Sequence, residues 1–292
     1  MIDILPDPLD ARDLARDALT FDTASARAVV ARLAAPPDGR RWTALATPDL
    51  DGVVFASISQ HLSTVGHVDL LAVDPRARRR GLGRALVGAA EEWLRAAGAE
   101  EVQFAGNPPC YAWPGIDVRY TPAHCLAESL GYEQFRTAWN MTAPLTGGLA
   151  SAADLARLAE EGVTVHAAPE GERTEVAEFI RKEWNDSWAW EAEHAGGCHY
   201  ARRDGEILGF AAWGARPSWF GPMGTAEAAR GLGVGRVLLR RCLADLAATG
   251  LRSAQIGWVG PVHFYSRAVG ARVERVFWLY RRRLGAQPKE TP

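Results

Sequence analysis

Two short stretches of the chain share one pattern of charge and glycine. Arg78, Gly81 and Gly83 are spaced as Arg230, Gly233 and Gly235 are, within "RRRGLGRALV" and "ARGLGVGRVLL". In each, an arginine leads a glycine-rich turn into an amphipathic run, so unpaired backbone N–H groups at a helix start would face an incoming anion. The chemistry implied is the holding of a phosphate compound. One copy alone would read equally well as a tight turn whose glycines supply positive φ; two copies with the same leading arginine favour anion binding. The common nucleotide loops do not fit. Neither copy has the Gly-Lys-Ser/Thr of a Walker loop, and neither sets G-x-G-x-x-G directly after a strand.

A third cluster, "KEWNDSWAWEAEH", gathers Trp184, Trp188 and Trp190 with Glu183, Asp186, Glu191 and Glu193. Aromatic faces beside carboxylates suit a ligand with an apolar face and a cationic group, and an amino sugar has both. The same tryptophans would also serve to pack a helix. Trp219 and Trp258 flank the strand before the second turn and the strand after its helix, and could complete a pocket. Cys110, Cys125, Cys198 and Cys242 show no C-x-x-C pairing and read as free thiols, with no metal site assigned.

The elements that carry these residues are themselves repeated. Besides the turns, "GYEQFRTAWNM" from Gly131 lines up with "GARVERVFWLY" from Gly270, so the halves are related copies. Arg78 to Gly131 spans 53 positions and Arg230 to Gly270 spans 40, giving the first half 13 extra residues that include "NPPCYAWPGID". Its prolines and glycine mark a loop. In the first half "RWTALATPD", "GVVFASISQ" and "HVDLLAV" read as a strand meander, residues 83–97 as a helix and "EVQFAG" as a further strand. In the second, "CHYARRD", "ILGFAAWG" and the stretch to Thr225 take the strand roles, and residues 237–248 the helix. The fold class expected is α+β, two tandem domains each with a mixed, mostly antiparallel sheet flanked by helices. The expected bounds are 1–146, a linker with helix over 147–163, and 164–292. Gly147 and Gly148 break the chain there, and Ser151 with Asp154 reads as a helix N-cap pair.

Bulk properties set the class. A chain of 292 residues with 48% apolar and 23% charged content has enough apolar material for two cores. A net charge of −2 lacks the positive field that holds nucleic acid. The start "MIDILPDPLD" has neither a basic nor an apolar leader region, and no run approaches a membrane span, so a cytoplasmic location is expected.

Arg/Gln-x-x-Gly-x-Gly/Ala after a strand resembles the pyrophosphate loop of the GNAT superfamily of acyl-CoA-dependent N-acyltransferases. The resemblance runs through "LLAVDPRARRRGLGRAL", "GPMGTAEAARGLGVGRVLL" and "HFYSRAVGA", once per half. It implies acetyl-CoA as co-substrate. The pyrophosphate would lie on Arg78, Arg79, Arg80, Gly81, Leu82, Gly83 and Arg84, or on Arg230, Gly231, Leu232, Gly233, Val234, Gly235 and Arg236. The pantetheine arm would run beside Leu71, Ala72 and Val73, or beside Met223, Gly224 and Thr225. In the family a base takes a proton from the amine, strand amides hold the oxyanion, and often a tyrosine protonates the departing thiolate.

That tyrosine falls on Tyr265, with Leu126 as its first-half counterpart. The family's strand carboxylate falls on Asp69, opposite Gly221. Neither half has both. The second half is the expected catalytic one, with Asp186 or Glu191 as candidate base and the first half holding acyl-CoA without turning it over. Pro222 predicts a bulge in the second half's strand that frees amides near Met223 or Gly224. The pattern is similar to two-domain bacterial GNAT proteins, glucosamine N-acetyltransferases among them, with mycothiol synthase a more distant match. The expected activity is N-acetylation of a primary amine on a small molecule, by a monomer. The alternative is an acyl-CoA-binding regulatory or scaffold protein without turnover.

Overall fold

The computed structural model describes residues 2–147, 149 and 151–285; Gly148, half of the expected chain break, lies outside them. The chain divides into two compact units, Met1–Ala138 with Val276–Pro292, and Trp139–Arg275.

The first unit runs β1 (Asp3–Ile4), α1 (Ala11–Ala18), α2 (Ala26–Leu33), β2 (Trp42–Ala46), β3 (Gly52–Ile58) and β4 (Val65–Val73). After these come α3 (Leu82–Ala96), β5 (Glu101–Phe104), β6 (Ile116–Asp117), α4 (Thr121–Ser129) and the start of β7 (Glu133–Pro144). β1 to β4 are antiparallel neighbours, and β4 pairs with β5 in parallel. Every residue of β3 is buried, because helices cover both faces of the sheet. α1 and α2 cover one face, with Leu14, Val30 and Leu33 on Phe55, Leu70 and Ala72. α3 covers the other, its stripe of Leu86, Ala90 and Leu94 meeting Val54, Val68 and Val102.

The second unit repeats the plan. It runs α5 (Ala152–Glu160), β8 (Thr164–Ala167), α6 (Arg173–Glu183), α7 (Asp186–Glu193), β9 (Gly197–Arg203), β10 (Glu206–Trp213), β11 (Trp219–Thr225), α8 (Val234–Ala248), β12 (Ser253–Ile256) and α9 (Val262–Val269). β8 to β11 are antiparallel and β11 pairs with β12 in parallel. The expected meanders and turn helices are therefore present in both units. α1 and α2 are elements that the sequence reading passed over. Ser151 makes no side-chain cap bond, contrary to the expected N-cap pair. No helix among the described residues is long and apolar enough to cross a membrane.

The last strand of each repeat crosses its half. In β13 (Arg272–Arg283), Tyr280 to Arg283 pair with Phe104 to Glu101 of β5, so the chain's final strand completes the first unit. In β7, Met141 to Pro144 pair with Ile256 to Ser253 of β12 in the second unit. The unit boundaries thus fall inside β7 and β13, where the sequence reading set one boundary at 146. β13 is fixed by burial of Phe277, Leu279 and Tyr280 and by polar bonds. Tyr280 Oη lies 3.0 Å from His124 Nδ1, and Arg282 donates to Glu91 at 2.8 Å.

Candidate active site

In the first unit the site begins with an irregularity in β4. The β3–β4 register passes from Phe55 opposite Leu70 to Ala56 opposite Val68, leaving Asp69 as the extra residue of a bulge. An unbroken strand would put Val68 on the same face as Leu70 and Ala72. Instead Val68 packs toward α3 with Leu71 and Val73, while Leu70 and Ala72 face α1 and α2. The bulge turns Asp69 into a small recess bordered by Arg40, Trp42, Phe55, Ser57 and Cys110.

Asp69 is half-buried, and its Oδ1 is shielded from solvent with no hydrogen-bond partner among the described residues. Its recessed position pushes the carboxyl up to about 7, with the Ser57 hydroxyl and the Arg40 guanidinium pulling the other way. A carboxylate with a free oxygen and a near-neutral titration has the properties of a general base. Arg40 is buried and ties the wall together, donating to the carbonyls of Asn107, Pro108 and Cys110.

Beyond the bulge, β4 leads to the first glycine turn. Its pairing with β5 covers Val65 to His67 only, so Val68 to Val73 present an open edge on that side. The side chains of Leu71, Ala72 and Val73 belong to the core, and their backbone is what this edge offers a ligand. Arg79 (φ 65°) and Gly81 (φ 85°) take left-handed conformations, with Gly81 as the N-cap of α3. Arg78 donates to Val73 O and Ala18 O, fastening the turn to α1. Arg84 donates to Ser129 Oγ. Arg79 and Arg80 are exposed and make no hydrogen bond or ion pair among the described residues. Leu82 opens the helix, nothing lies within 4 Å of where a Cβ on Gly81 would sit, and the corresponding point on Gly83 meets only Leu126 at 3.1 Å. Helix-start amides, two uncommitted cations and an open strand edge suit the pyrophosphate and pantetheine of acetyl-CoA.

The second turn has the same backbone and different surroundings. Gly231 (φ 85°) and Gly233 (φ 88°) are left-handed, and Gly233 caps α8, whose first turn holds Val234, Gly235 and Arg236. β10–β11 shifts register between Ala211 and Trp213, so the irregularity expected at Pro222 is present. Here α5 lies on the turn. Arg157 Nη2 donates to Leu232 O at 2.6 Å and stands 2.5 Å from where a Cβ on Gly233 would be. Asp154 takes Arg236 at 2.5 Å and Arg240 at 3.1 Å. The point a Cβ on Gly235 would occupy meets Thr225 Oγ1 at 3.1 Å, Met223 at 3.5 Å and Phe264 at 3.6 Å, where Gly83 meets only Leu126. Arg230 is exposed.

The remaining predicted residues occupy varied settings. Tyr265 is buried edge-on to Phe220 and Phe264, and its hydroxyl has no hydrogen-bond partner among the described residues. Burial pushes it up to about 12, making it a weaker proton donor than an ordinary tyrosine. Trp184 lies against Gly224 and stacks on Trp188, and both pack against Phe210 in the core beneath α6 and α7. Trp190 stacks on His194 at 4.1 Å. Trp219 is buried under the Arg216 guanidinium at 3.6 Å, and the Trp258 amide donates to Asn140 Oδ1. Asp186 is exposed and paired with Arg181, whereas Glu191 is buried. Arg40 and Ser57 escaped the sequence reading and Cys110 was read there only as a free thiol; the signal within reach was that the extra loop and Asp69 belong to the same half.

Residues 10–112 and 164–270 each match the acetyltransferase (GNAT) family. The chain belongs to that family. Mycothiol acetyltransferase of Corynebacterium urealyticum is 31% identical over 159 residues, 50% of this chain and 42% of that protein. The glucosamine N-acetyltransferase region of a fungal multi-domain β-N-acetylglucosaminidase superposes with a TM-score of 0.77 at 18% identity, over 97% of this chain and 38% of that one. The chain therefore spans about two fifths of each of these relatives. A tandem GNAT protein from the clavulanic acid biosynthesis pathway matches over 99% of both chains, with a TM-score of 0.73 at 18% identity. These likenesses show the tandem GNAT fold, and the family generally takes acetyl-CoA.

Proposed function

We propose that this GNAT chain is an acetyl-CoA-dependent N-acetyltransferase for a primary amine of a small molecule, with an amino sugar such as glucosamine the first acceptor to test. The observation that carries the reading is Asp69, turned by the β4 bulge into a recess on the strand that leads to an open glycine turn. We assign the donor to the first unit, in place of the second half that Tyr265 favoured at sequence level. Arg157 and Asp154 hold α5 on the second turn, and Met223 and Phe264 stand beside Gly235.

Acetyl-CoA supplies an activated thioester carbonyl. The α3 amides, with Arg79 and Arg80, hold its phosphates, and the open backbone of β4 beyond the bulge aligns the arm. Asp69 receives the proton that the acceptor's ammonium must lose before it is nucleophilic, at its uncommitted Oδ1. Leu126 offers no proton, so solvent protonates the departing thiolate. The second unit, with α5 held on its turn, then takes the non-catalytic role that was expected of the first half. We take the chain to act as a monomer on a small-molecule acceptor.

The test is thiol release from acetyl-CoA across a panel of amines led by glucosamine and including polyamines and peptide N-termini. Asp69→Asn and Tyr265→Phe are run in parallel. Loss with the first and retention with the second support the assignment. The reverse pattern returns catalysis to the second unit, and binding of acetyl-CoA without release from any amine favours the non-catalytic reading.

A further inference from the structure

The acid and the extra loop occur in the same half. Asp69 has Gly221 at its counterpart position, and the insertion containing "NPPCYAWPGID" is present only before Gly131. Ser57 stands between them, bonded to the loop and bordering the recess that takes Asp69. Asn107, the first residue of that run, is buried, and its Nδ2 donates to Ser57 Oγ at 2.8 Å and to Ile58 O at 3.2 Å. The second bond fixes the orientation of the amide, because a flipped group would set oxygen against the Ile58 carbonyl. Ser57 Oγ therefore accepts from Asn107 and keeps its own proton to give. Ser57 borders the recess that holds Asp69, and its hydroxyl acts on that carboxyl in favour of the charged form. The Asn107 main chain is fixed as well, since Arg40 Nη1 donates to its carbonyl at 3.0 Å.

We propose that Asn107, acting through Ser57, is a positioning residue for Asp69, and that the first-half insertion serves to hold this acid in working geometry. The inference rests on Asp69 being the base. Other groups set the background. Arg40, from the segment before β2, is the cation facing the recess, and Cys110 brings a thiol from the loop. His67, also on β4, has its ring 3.0 Å from the Ala105 carbonyl and is pushed down to about 4 by burial, so it is neutral where Asp69 titrates. The Asn107–Ser57 pair is an uncharged support set against these, and its removal should register at Asp69.

The direct experiment is a pH titration of the Asp69 carboxyl resonance in the full chain labelled with carboxyl-¹³C aspartate, assigned by its loss in Asp69→Asn. Ser57→Ala should raise the midpoint by about half to one pH unit, and Ser57→Thr, which keeps the hydroxyl, should restore it. Asn107→Ala should move it the same way by less. With acetyl-CoA and the fastest amine of the panel, the acid limb of kcat/KM should follow the midpoint while KM for acetyl-CoA stays fixed. A midpoint that Ser57→Ala leaves in place or lowers overturns the inference. So does a loss of kcat/KM of equal size at every pH, which packing damage alone would produce. Thermal melts identify an unfolded variant, and if Asn107→Ala is one, the Ser57 pair decides. Full turnover by Asp69→Asn sinks the base reading itself, whatever the midpoints do.

Discussion

At the scale of single residues, Asp69 and His67 sit two positions apart on one strand and respond to pH in opposite senses. Asp69 titrates near 3.8 in an unfolded chain and about 7 in the folded one. Between those values the folded state retains a proton that the unfolded state has released, so Asp69 lowers stability as pH rises through that window. Asp69→Asn should therefore raise the thermal midpoint at pH 8 and leave it unchanged at pH 4, as scanning calorimetry can check. His67 falls from 6.5 to about 4, so stability is lost as pH drops through that interval, and His67→Gln should flatten the slope there. In turnover, Asp69→Asn should cost about a hundredfold or more in kcat/KM, the usual contribution of a positioned base. Of this site the sequence reading reached Asp69 only through the family resemblance, which sets it opposite Gly221. It did not carry the pocket, because Arg40, Ser57 and Asn107 converge only when β2, β3 and the loop fold together.

At the scale of elements, the two turns differ in what lies upon them. Arg79 and Arg80 are uncommitted, so Arg79→Glu with Arg80→Glu should weaken acetyl-CoA binding by about tenfold or more at low salt, with the difference shrinking as ionic strength rises. Isothermal titration at two salt concentrations checks this. In the second unit the Asp154 carboxylate bridges Arg236 and Arg240, so Asp154→Ala leaves two arginines facing each other. It should cost about 1 to 3 kcal/mol in denaturant unfolding without changing acetyl-CoA affinity at the first turn. The strands, turns and turn helices were legible because hydrophobic period and glycine placement are local signals. The function of α5 was not, since Asp154 reads as a capping residue and only the packed structure gives it to the α8 arginines. Trp184 and Trp188 show the same limit: an aromatic cluster reads alike whether it faces a ligand or packs, and here both rings lie partly buried against the core.

At the scale of the whole molecule, the repeat was visible from Gly131 and Gly270, but the destination of each repeat's last strand was not. Alternation within "RTAWNMTA" and "RVFWLYRR" specifies a strand with a buried face, not the sheet that receives it. The strand exchange means that residues 1–138 alone lack the β13 segment beside β5. A chain ending at Arg275 should lose protection from hydrogen exchange throughout the first unit while retaining it in the second, although the deletion is at the far end of the sequence. The same arrangement has a consequence during synthesis. A polypeptide leaves the ribosome from its N-terminus, and domains generally fold as they emerge. Here the segment that closes the first unit is made after the second unit, so Trp139–Arg275 is complete before β13 has finished emerging. The half that is translated first therefore waits for the other, and its glycine turn and Asp69 are completed only after the second unit has been read through.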